Sequence, residues 1–95
     1  MSSVYVFEKY PFYEGGSIIM ISCDLEKVKN CFKDIVNLKK EGYGYVINKY
    51  ELGKKYEYLE DKSEPVIWIE VEYGNELKVI HNNKLVEELL GVVIE

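Results

Sequence analysis

The stretch that decides the fold is residues 24–41, DLEKVKNCFKDIVNLKKE, which has the clearest helical periodicity in the chain. Its apolar side chains fall on one arc of roughly 160° when successive residues are placed about 100° apart. They are Leu25, Val28, Cys31, Phe32, Ile35, Val36 and Leu38. Ser22 or Asp24 can cap the beginning, and Gly42 stands where a left-handed terminator belongs. The pattern predicts one long amphipathic helix packed on one face of a sheet.

Two strands are predicted before this helix. Residues 4–10, VYVFEKY, are β-branched and aromatic, and residues 17–22, SIIMIS, form a short apolar run of the same kind. Between them residues 11–16, PFYEGG, are rich in turn residues. An antiparallel hairpin is therefore the expected connection.

Further strands and a short helix are predicted after the long helix. The strands are expected at residues 42–52, 55–60, 66–73 and 77–82, with a polar loop at 60–65, a short helix capped by Asn82 or Asn83 and ended by Gly91, and a last short strand at 92–94. The predicted fold is α+β in one domain, residues 1–95. Its sheet is mainly antiparallel, with five to six strands, in the order β-β-α-β-β-β-β-α.

The turn between the last two long strands has two alternatives. A two-residue turn at residues 74–75 would place acidic side chains opposite apolar ones. A three-residue loop at residues 74–76 matches apolar with apolar, and we expect this loop. The expected pairs are Tyr73 with Leu77, Glu72 with Lys78, Val71 with Val79 and Ile69 with His81. The last pair would turn His81 inward.

Composition is typical of a globular protein, because 47% of the residues are hydrophobic and 31% are charged. No apolar run approaches the roughly 18 residues of a membrane span, and the N-terminus lacks the pattern of a signal peptide. Cys23 and Cys31 would lie about 12 Å apart along a helix, beyond disulfide reach. We expect reduced thiols, a cytoplasmic location and no membrane partner.

Catalytic machinery is sparse. The only histidine is His81. The composition allows a catalytic pair in which Cys23 or Cys31 is the nucleophile and His81 is the base. Cys31 lies on the apolar stripe of the helix, which favours a core thiol. We therefore expect no enzyme and no catalytic residue.

Metal and cofactor patterns are also weak. Two cysteines and one histidine do not complete a zinc site. Acidic residues after the third strand can in principle bind a hard cation, but their spacing is not that of a calcium loop, so a solvated charged loop is favoured. Gly15 and Gly16 lack the spacing of a phosphate-binding loop. We expect no metal and no cofactor.

The net charge of −5 is concentrated in residues 51–76, which hold three lysines and eight acids. All twelve basic residues are lysine, and a lysine stripe on the helix (Lys29, Lys33 and Lys40) is too small for direct nucleic-acid binding. The chain also has nine tyrosines. Tyrosine is enriched at interfaces, but it is also a good strand former, and both interpretations remain open.

The opening strand VYVFE, the turn Tyr13-Glu14-Gly15-Gly16, the apolar strand leading into an amphipathic helix, and the later Tyr-Glu-Leu of residues 50–52 resemble small phage- and prophage-type domains of unknown function. The resemblance spans roughly residues 3 to 60 and rests on pattern rather than on a catalytic motif. It implies a β-β-α-β core and a home in a mobile genetic element. It carries over no functional residue.

The leading hypothesis is a non-enzymatic, protein-binding accessory or inhibitor of phage type. One form of this hypothesis is an inhibitor of a host defence protein. An acidic, tyrosine-rich surface would dock on a basic site of a partner protein. The candidate partner-binding residues are Tyr56, Glu57, Tyr58, Glu60, Asp61, Glu64, Glu70 and Glu72. The alternative is a small-molecule or nucleotide sequestering domain that acts as a homo-oligomer.

Overall fold

The computed structural model describes residues 2–37, 41–56 and 63–91, and arranges them as five strands and two helices. The elements are β1 (Ser3–Pro11), β2 (Ser17–Ser22), α1 (Leu25–Val36), β3 (Tyr43–Glu51), β4 (Glu64–Val71), β5 (Leu77–His81) and α2 (Asn83–Leu90). The strands form one sheet in the order β2-β1-β3-β4-β5, and every neighbouring pair is antiparallel. The predicted α+β class and antiparallel sheet are confirmed.

Helix α1 begins where the sequence indicates. The Asp24 side chain accepts a hydrogen bond from the Glu26 backbone N–H at 3.0 Å, and the Ser22 hydroxyl accepts from the Asp24 N–H at 3.0 Å. Of the two candidates, Asp24 is therefore the N-cap, while Ser22 binds the backbone of Asp24 just before the helix. The three residues Val28, Phe32 and Val36 form its fully buried side.

The helix is shorter than predicted: it has 12 residues and ends at Val36, whereas the prediction ran to Glu41. Gly42 has the expected left-handed backbone, with φ 78°. However, its N–H donates to the Val71 carbonyl at 2.8 Å and its carbonyl accepts from the Phe12 N–H at 3.1 Å. Gly42 thus belongs to the entry into β3, and the residue that caps the end of α1 is Asn37. Leu38 lies outside the described residues.

Both helices pack on the same face of the sheet and enclose one apolar core. Its fully buried members are Phe7, Val28, Phe32, Val36, Tyr45, Ile47, Ile67, Ile69, Val71 and Val86. The rings of Phe7 and Phe32 meet with centroids 5.3 Å apart, which joins β1 to α1. Burying one such side chain contributes roughly 1.5–3 kcal/mol. Apolar burial on this face is what holds the two layers together.

The hairpin between β4 and β5 has a three-residue loop, but the loop is residues 73–75 rather than 74–76. The Glu72 N–H donates to the Glu76 carbonyl at 2.8 Å and closes it. Gly74 and Asn75 both have positive φ, 92° and 63°, and reverse the chain direction. Glu76 can therefore pair with Glu72 instead of lying in the loop, and the loop begins one residue earlier than expected. The predicted register is wrong by two residues. The observed pairs are Val71 with Leu77, Glu70 with Lys78, Ile69 with Val79 and Trp68 with His81.

A register shift between Trp68 and Ile69 adds Ile80 as an extra residue in β5. Because an extra residue reverses the alternation of the side chains that follow it, His81 lies opposite Trp68 and is exposed. The expectation that His81 points inward was wrong. A two-residue slip preserves alternation, so Ile69, Val71 and Val79 still lie on the core side, as expected.

The remaining elements agree in part with the prediction. Helix α2 is capped by Asn82, whose side-chain oxygen accepts from the Leu85 N–H at 3.2 Å, and is ended by Gly91 at φ 67°. Glu64 begins β4 instead of lying in a loop. Of the strand expected at 55–60, Lys55 and Tyr56 are in no strand. Its residues 57–60, and the strand expected at 92–94, lie outside the described residues.

Within the described ranges, neither helix has the length and apolar character needed to cross a membrane.

Candidate partner-binding face

The face of the sheet opposite the helices, called the open face here, is covered by neither α1 nor α2. It carries the residues that alternate with the core positions along each strand. Cross-strand pairing sets two rows on it: Tyr10, Gly44 and Glu70 form one, and Glu8, Val46 and Trp68 form the next. Val6 and Val46 are nearly buried on this face, at 9% and 7% exposure. Glu8, Asn48 and Trp68 beside them are half-buried, whereas Ile21, which pairs with Val6, is exposed. The open face is thus an amphipathic surface.

Three side chains on the open face form a connected group, called the anchor cluster here: Tyr10, Trp68 and Glu70. The indole N–H of Trp68 donates to the Tyr10 hydroxyl oxygen at 2.6 Å, and that hydroxyl donates to Glu70 Oε2 at 3.0 Å. The hydrogen bonds therefore run in one direction, from indole through phenol to carboxylate. The group joins β1 to β4 across β3.

Gly44 makes the anchor cluster sterically possible. It lies in β3 between the strands of Tyr10 and Glu70, and a Cβ atom at this position would overlap the Tyr10 ring. The ring occupies the space that a side chain would fill. A glycine inside a strand often marks such a close approach, and this was the one sequence signal for the cluster.

Burial raises the pKa of Tyr10 to about 12, with the hydrogen bond to Glu70 and its negative charge acting in the same direction and the Trp68 hydrogen bond opposing them. The phenol therefore keeps its proton at neutral pH and acts as a donor to Glu70. A carboxylate has about four lone-pair sites, and Tyr10 uses one of them. The arrangement presents an oriented carboxylate beside two aromatic rings, which suits a cationic side chain.

The structure separates the candidate partner-binding residues that it describes. Glu70 lies in the anchor cluster, and Glu72 is half-buried at the mouth of the β4–β5 hairpin. Lys49 of β3 pairs with Glu64 of β4 on one side and with Tyr5 of β1 on the other. Tyr5 packs against the core, so this row of residues lies on the helix side. Because Val66 is an extra residue at the register shift opposite Ile47 and Asn48, Glu64 lies on the helix side of the sheet. Glu64 and Glu70 are therefore on opposite faces.

Tyr56 lies near the other end of the open face. Its ring meets that of Tyr50 edge-on with centroids 5.0 Å apart, and its hydroxyl accepts from the Glu51 N–H at 2.8 Å. Tyr50 is six residues from Gly44 along β3, roughly 20 Å away. Tyr56 and Glu70 can thus contact one extended partner but not one small ligand. Glu57, Tyr58, Glu60 and Asp61 lie outside the described residues.

The tyrosines divide between the two faces of the sheet. Tyr45 is fully buried in the core, and Tyr5 and Tyr43 pack against that core from the helix side. Tyr10 and Tyr50 instead belong to the open face, through their pairs with Gly44 and Val4. Strand propensity accounts for the first group, and the second remains available for contact.

Cys31 and His81 are on opposite sides of the sheet. Cys31 lies on α1 and packs against the core, and burial, with a smaller effect of Asp34, raises the pKa of its thiol. His81 lies opposite Trp68 on the open face. This geometry does not form a nucleophile–base pair. In the described part of the chain, no three histidine, cysteine or acidic side chains are grouped as a metal site.

Comparison with known proteins gives no relative: no protein-family model, no curated protein and no solved structure matches the chain. The resemblance to phage-type domains therefore stays a prediction.

Proposed function

We propose that the chain is a non-enzymatic protein-binding accessory or inhibitor that docks its open face on a basic site of a partner protein. The observation that carries the proposal is the anchor cluster, in which Glu70 is held by Tyr10 beside Trp68 on a face that neither helix covers. A lysine or arginine of the partner would meet a fixed carboxylate and an aromatic ring together. In protein interfaces a few anchor residues, often aromatic or arginine, supply most of the binding energy.

The surroundings of the cluster support the same class of partner. Glu8 lies in the neighbouring row, on the far side of Val46 from Trp68, so two carboxylates flank an apolar centre. An apolar centre with polar groups around it is the usual anatomy of a protein interface. Exposed Lys78 pairs with Glu70 across β4 and β5.

The net charge of −5 would steer a basic partner toward the chain before contact. In the proposal, Glu57, Glu60, Asp61 and Tyr58 extend the acidic, tyrosine-bearing surface, and Tyr56 and Glu72 contact the same partner at its ends. A phage-borne, cytoplasmic inhibitor of a host defence or nucleic-acid enzyme is the form that the sequence resemblance favours. The acidic residues would then take the place of phosphates on a lysine- and arginine-lined site.

A matched pull-down from host lysate tests the proposal. The bait proteins are the wild type, Glu70→Gln, and Glu14→Gln as a control that removes the same charge from the exposed β1–β2 turn. We expect a protein that is captured by the wild type and by the control, and that is lost or reduced with Glu70→Gln. Its affinity is expected to fall as salt rises, because the contacts are electrostatic.

Two results would count against the proposal. One is a partner captured equally by all three baits, and the other is an affinity that does not change between low and high salt. Native mass spectrometry of protein purified from cells distinguishes the proposed function from the alternative, a domain that sequesters a small molecule or nucleotide. A retained small ligand there would favour a sequestering domain.

A further inference from the structure

The two edges of the sheet differ in charge and exposure. At one edge, β2 is the uncharged segment SIIMIS, with Ile18, Ile19 and Ile21 exposed by 58%, 37% and 57%. At the other edge, β5 contains Lys78 and His81, both exposed, and α2 packs beside it. Charged residues and covering elements are the usual means by which edge strands avoid pairing with other chains. β5 carries charged residues and β2 carries none, while each of the two strands has a helix packed beside it, α2 for β5 and α1 for β2.

From this contrast we infer that β2 pairs antiparallel with β2 of a second copy of the chain, forming a two-fold symmetric dimer. The backbone of β2 pairs with β1 on one side, and its other side has no strand neighbour among the described residues. Pairing between copies would supply main-chain hydrogen bonds to that side. The two sheets would then form one continuous sheet.

The side chains of β2 are complementary to themselves. Ile18 pairs with Glu8 and Ile21 with Val6, so the register shift at Ile19 brings both isoleucines to the open face. An antiparallel pair about a two-fold axis between residues 19 and 20 places Ile18 of one copy opposite Ile21 of the other. Each copy thus supplies both halves of an apolar cross-strand pair, with nearly buried Val6 behind it.

Charge also favours a second copy over a basic or acidic partner at this edge. Residues 17–22 carry no charge in a chain of net charge −5, so they offer a charged partner nothing to pair with. Two copies repel each other at long range, and salt screens that repulsion. The dimer should therefore strengthen with added salt, which is opposite to the salt effect expected for the basic partner.

The size of the contact limits its strength. A six-residue strand is about 20 Å long, and its pairing would bury less than the roughly 800 Å² per partner of a standard stable interface. We expect a weak, reversible dimer. Association stops at two copies, because the symmetric contact uses both β2 strands and leaves only the β5 edges, which carry exposed Lys78 and His81.

The dimer has a consequence that rests on the proposed function. A two-fold axis perpendicular to the sheet keeps both open faces on the same side. The two Glu70 residues would be seven strand spacings apart, about 34 Å across the joined sheet. The dimer would then suit a partner with two basic sites, or two copies of the partner.

Sedimentation equilibrium on the purified chain tests the dimer without any partner. Loading concentrations up to about 1 mM reach weak association. Ile18→Lys places two like charges near the axis, and we expect it to raise the dissociation constant at least about tenfold. Ile80→Lys is the matched control, since Ile80 is an exposed isoleucine of β5 at 39% and should leave the dimer unchanged. Ile21→Lys provides a second variant on β2.

A chain that stays monomeric over this range would overturn the inference. So would a dimer that is lost with Ile80→Lys but kept with Ile18→Lys and Ile21→Lys. Far-ultraviolet circular dichroism of each variant confirms folding. Because no partner takes part, this experiment can fail while the proposed function stands, and the reverse also holds.

Discussion

The two faces of the sheet are stabilised in different ways. On the helix side, Phe7, Phe32 and Ile47 are fully buried and interact by apolar packing. On the open face, Tyr10, Trp68 and Glu70 are only half-buried and are joined by hydrogen bonds. Packing is costly to disturb, whereas half-exposed polar groups can exchange a protein partner for water. The helix side therefore contributes most of the stability, and the proposed binding is assigned to the open face.

The largest expected effect is on the helix side. Phe32→Ala removes a fully buried ring that contacts Phe7 and should lower the free energy of unfolding by about 3–5 kcal/mol. Urea denaturation followed by circular dichroism measures it. The control is Ile21→Ala on β2. Because the Ile21 side chain is 57% exposed, this substitution should lower the free energy of unfolding far less. Equal losses for the two variants would contradict the division between the faces.

Local signals explain how much of the fold could be predicted. The caps Asp24 and Asn82 and the terminator Gly91 act within a few residues. The sequence predicted the terminator directly and narrowed each cap to two neighbouring candidates. The register of β4 and β5 was not, because apolar alternation distinguishes the faces but does not detect a slip of two residues. Such a slip keeps every apolar side chain on its side.

The candidate site depended on longer-range contacts and was found only in part. Tyr10 is 60 residues from Glu70 and 58 from Trp68, so no local pattern joins them. Glu70 was selected for its charge alone. An acidic block in sequence also need not form one surface, since the extra residue Val66 turns Glu64 to the helix side. Gly44 within a strand was the one usable signal.

The second-largest effect is expected on the open face, at its point of closest packing. Gly44→Ala places a methyl group in the Tyr10 ring and should cost about 1–3 kcal/mol of stability. The cost should fall when Tyr10→Ala is added, because the ring is then absent. A double-mutant cycle by urea denaturation measures this coupling. Additive costs would mean that the ring does not occupy the space over Gly44.

A smaller effect is expected for the hydroxyl group of the cluster. Tyr10→Phe removes one acceptor from Trp68 and one donor from Glu70, and should lower stability by about 0.5–1.5 kcal/mol, because water can reach both groups. The NMR signal of the indole N–H of Trp68, the only tryptophan, should shift as well. An unchanged indole signal would show that this hydrogen bond is absent in solution.

The smallest expected effect is the pH dependence of the same group. The pKa of Tyr10 is raised from 10.0 to about 12, so the folded state holds this proton more tightly than the unfolded chain does. Its contribution to stability is complete below pH 10 and is lost as the pH rises toward 12. The stability difference between the wild type and Tyr10→Phe should narrow over that window. If the stability difference widens between pH 10 and 12, the pKa of Tyr10 is lowered by folding rather than raised.

The most direct test of the central claim is an NMR titration of the chain with the protein that it captures. We expect the Trp68 indole N–H and the backbone signals of Glu70 and Glu8 to shift first. We also expect Glu70→Gln to weaken binding while its free energy of unfolding stays within about 0.5 kcal/mol of the wild type. Shifts confined to α1 or α2, with Trp68 unaffected at saturation, would contradict the assignment of binding to the open face.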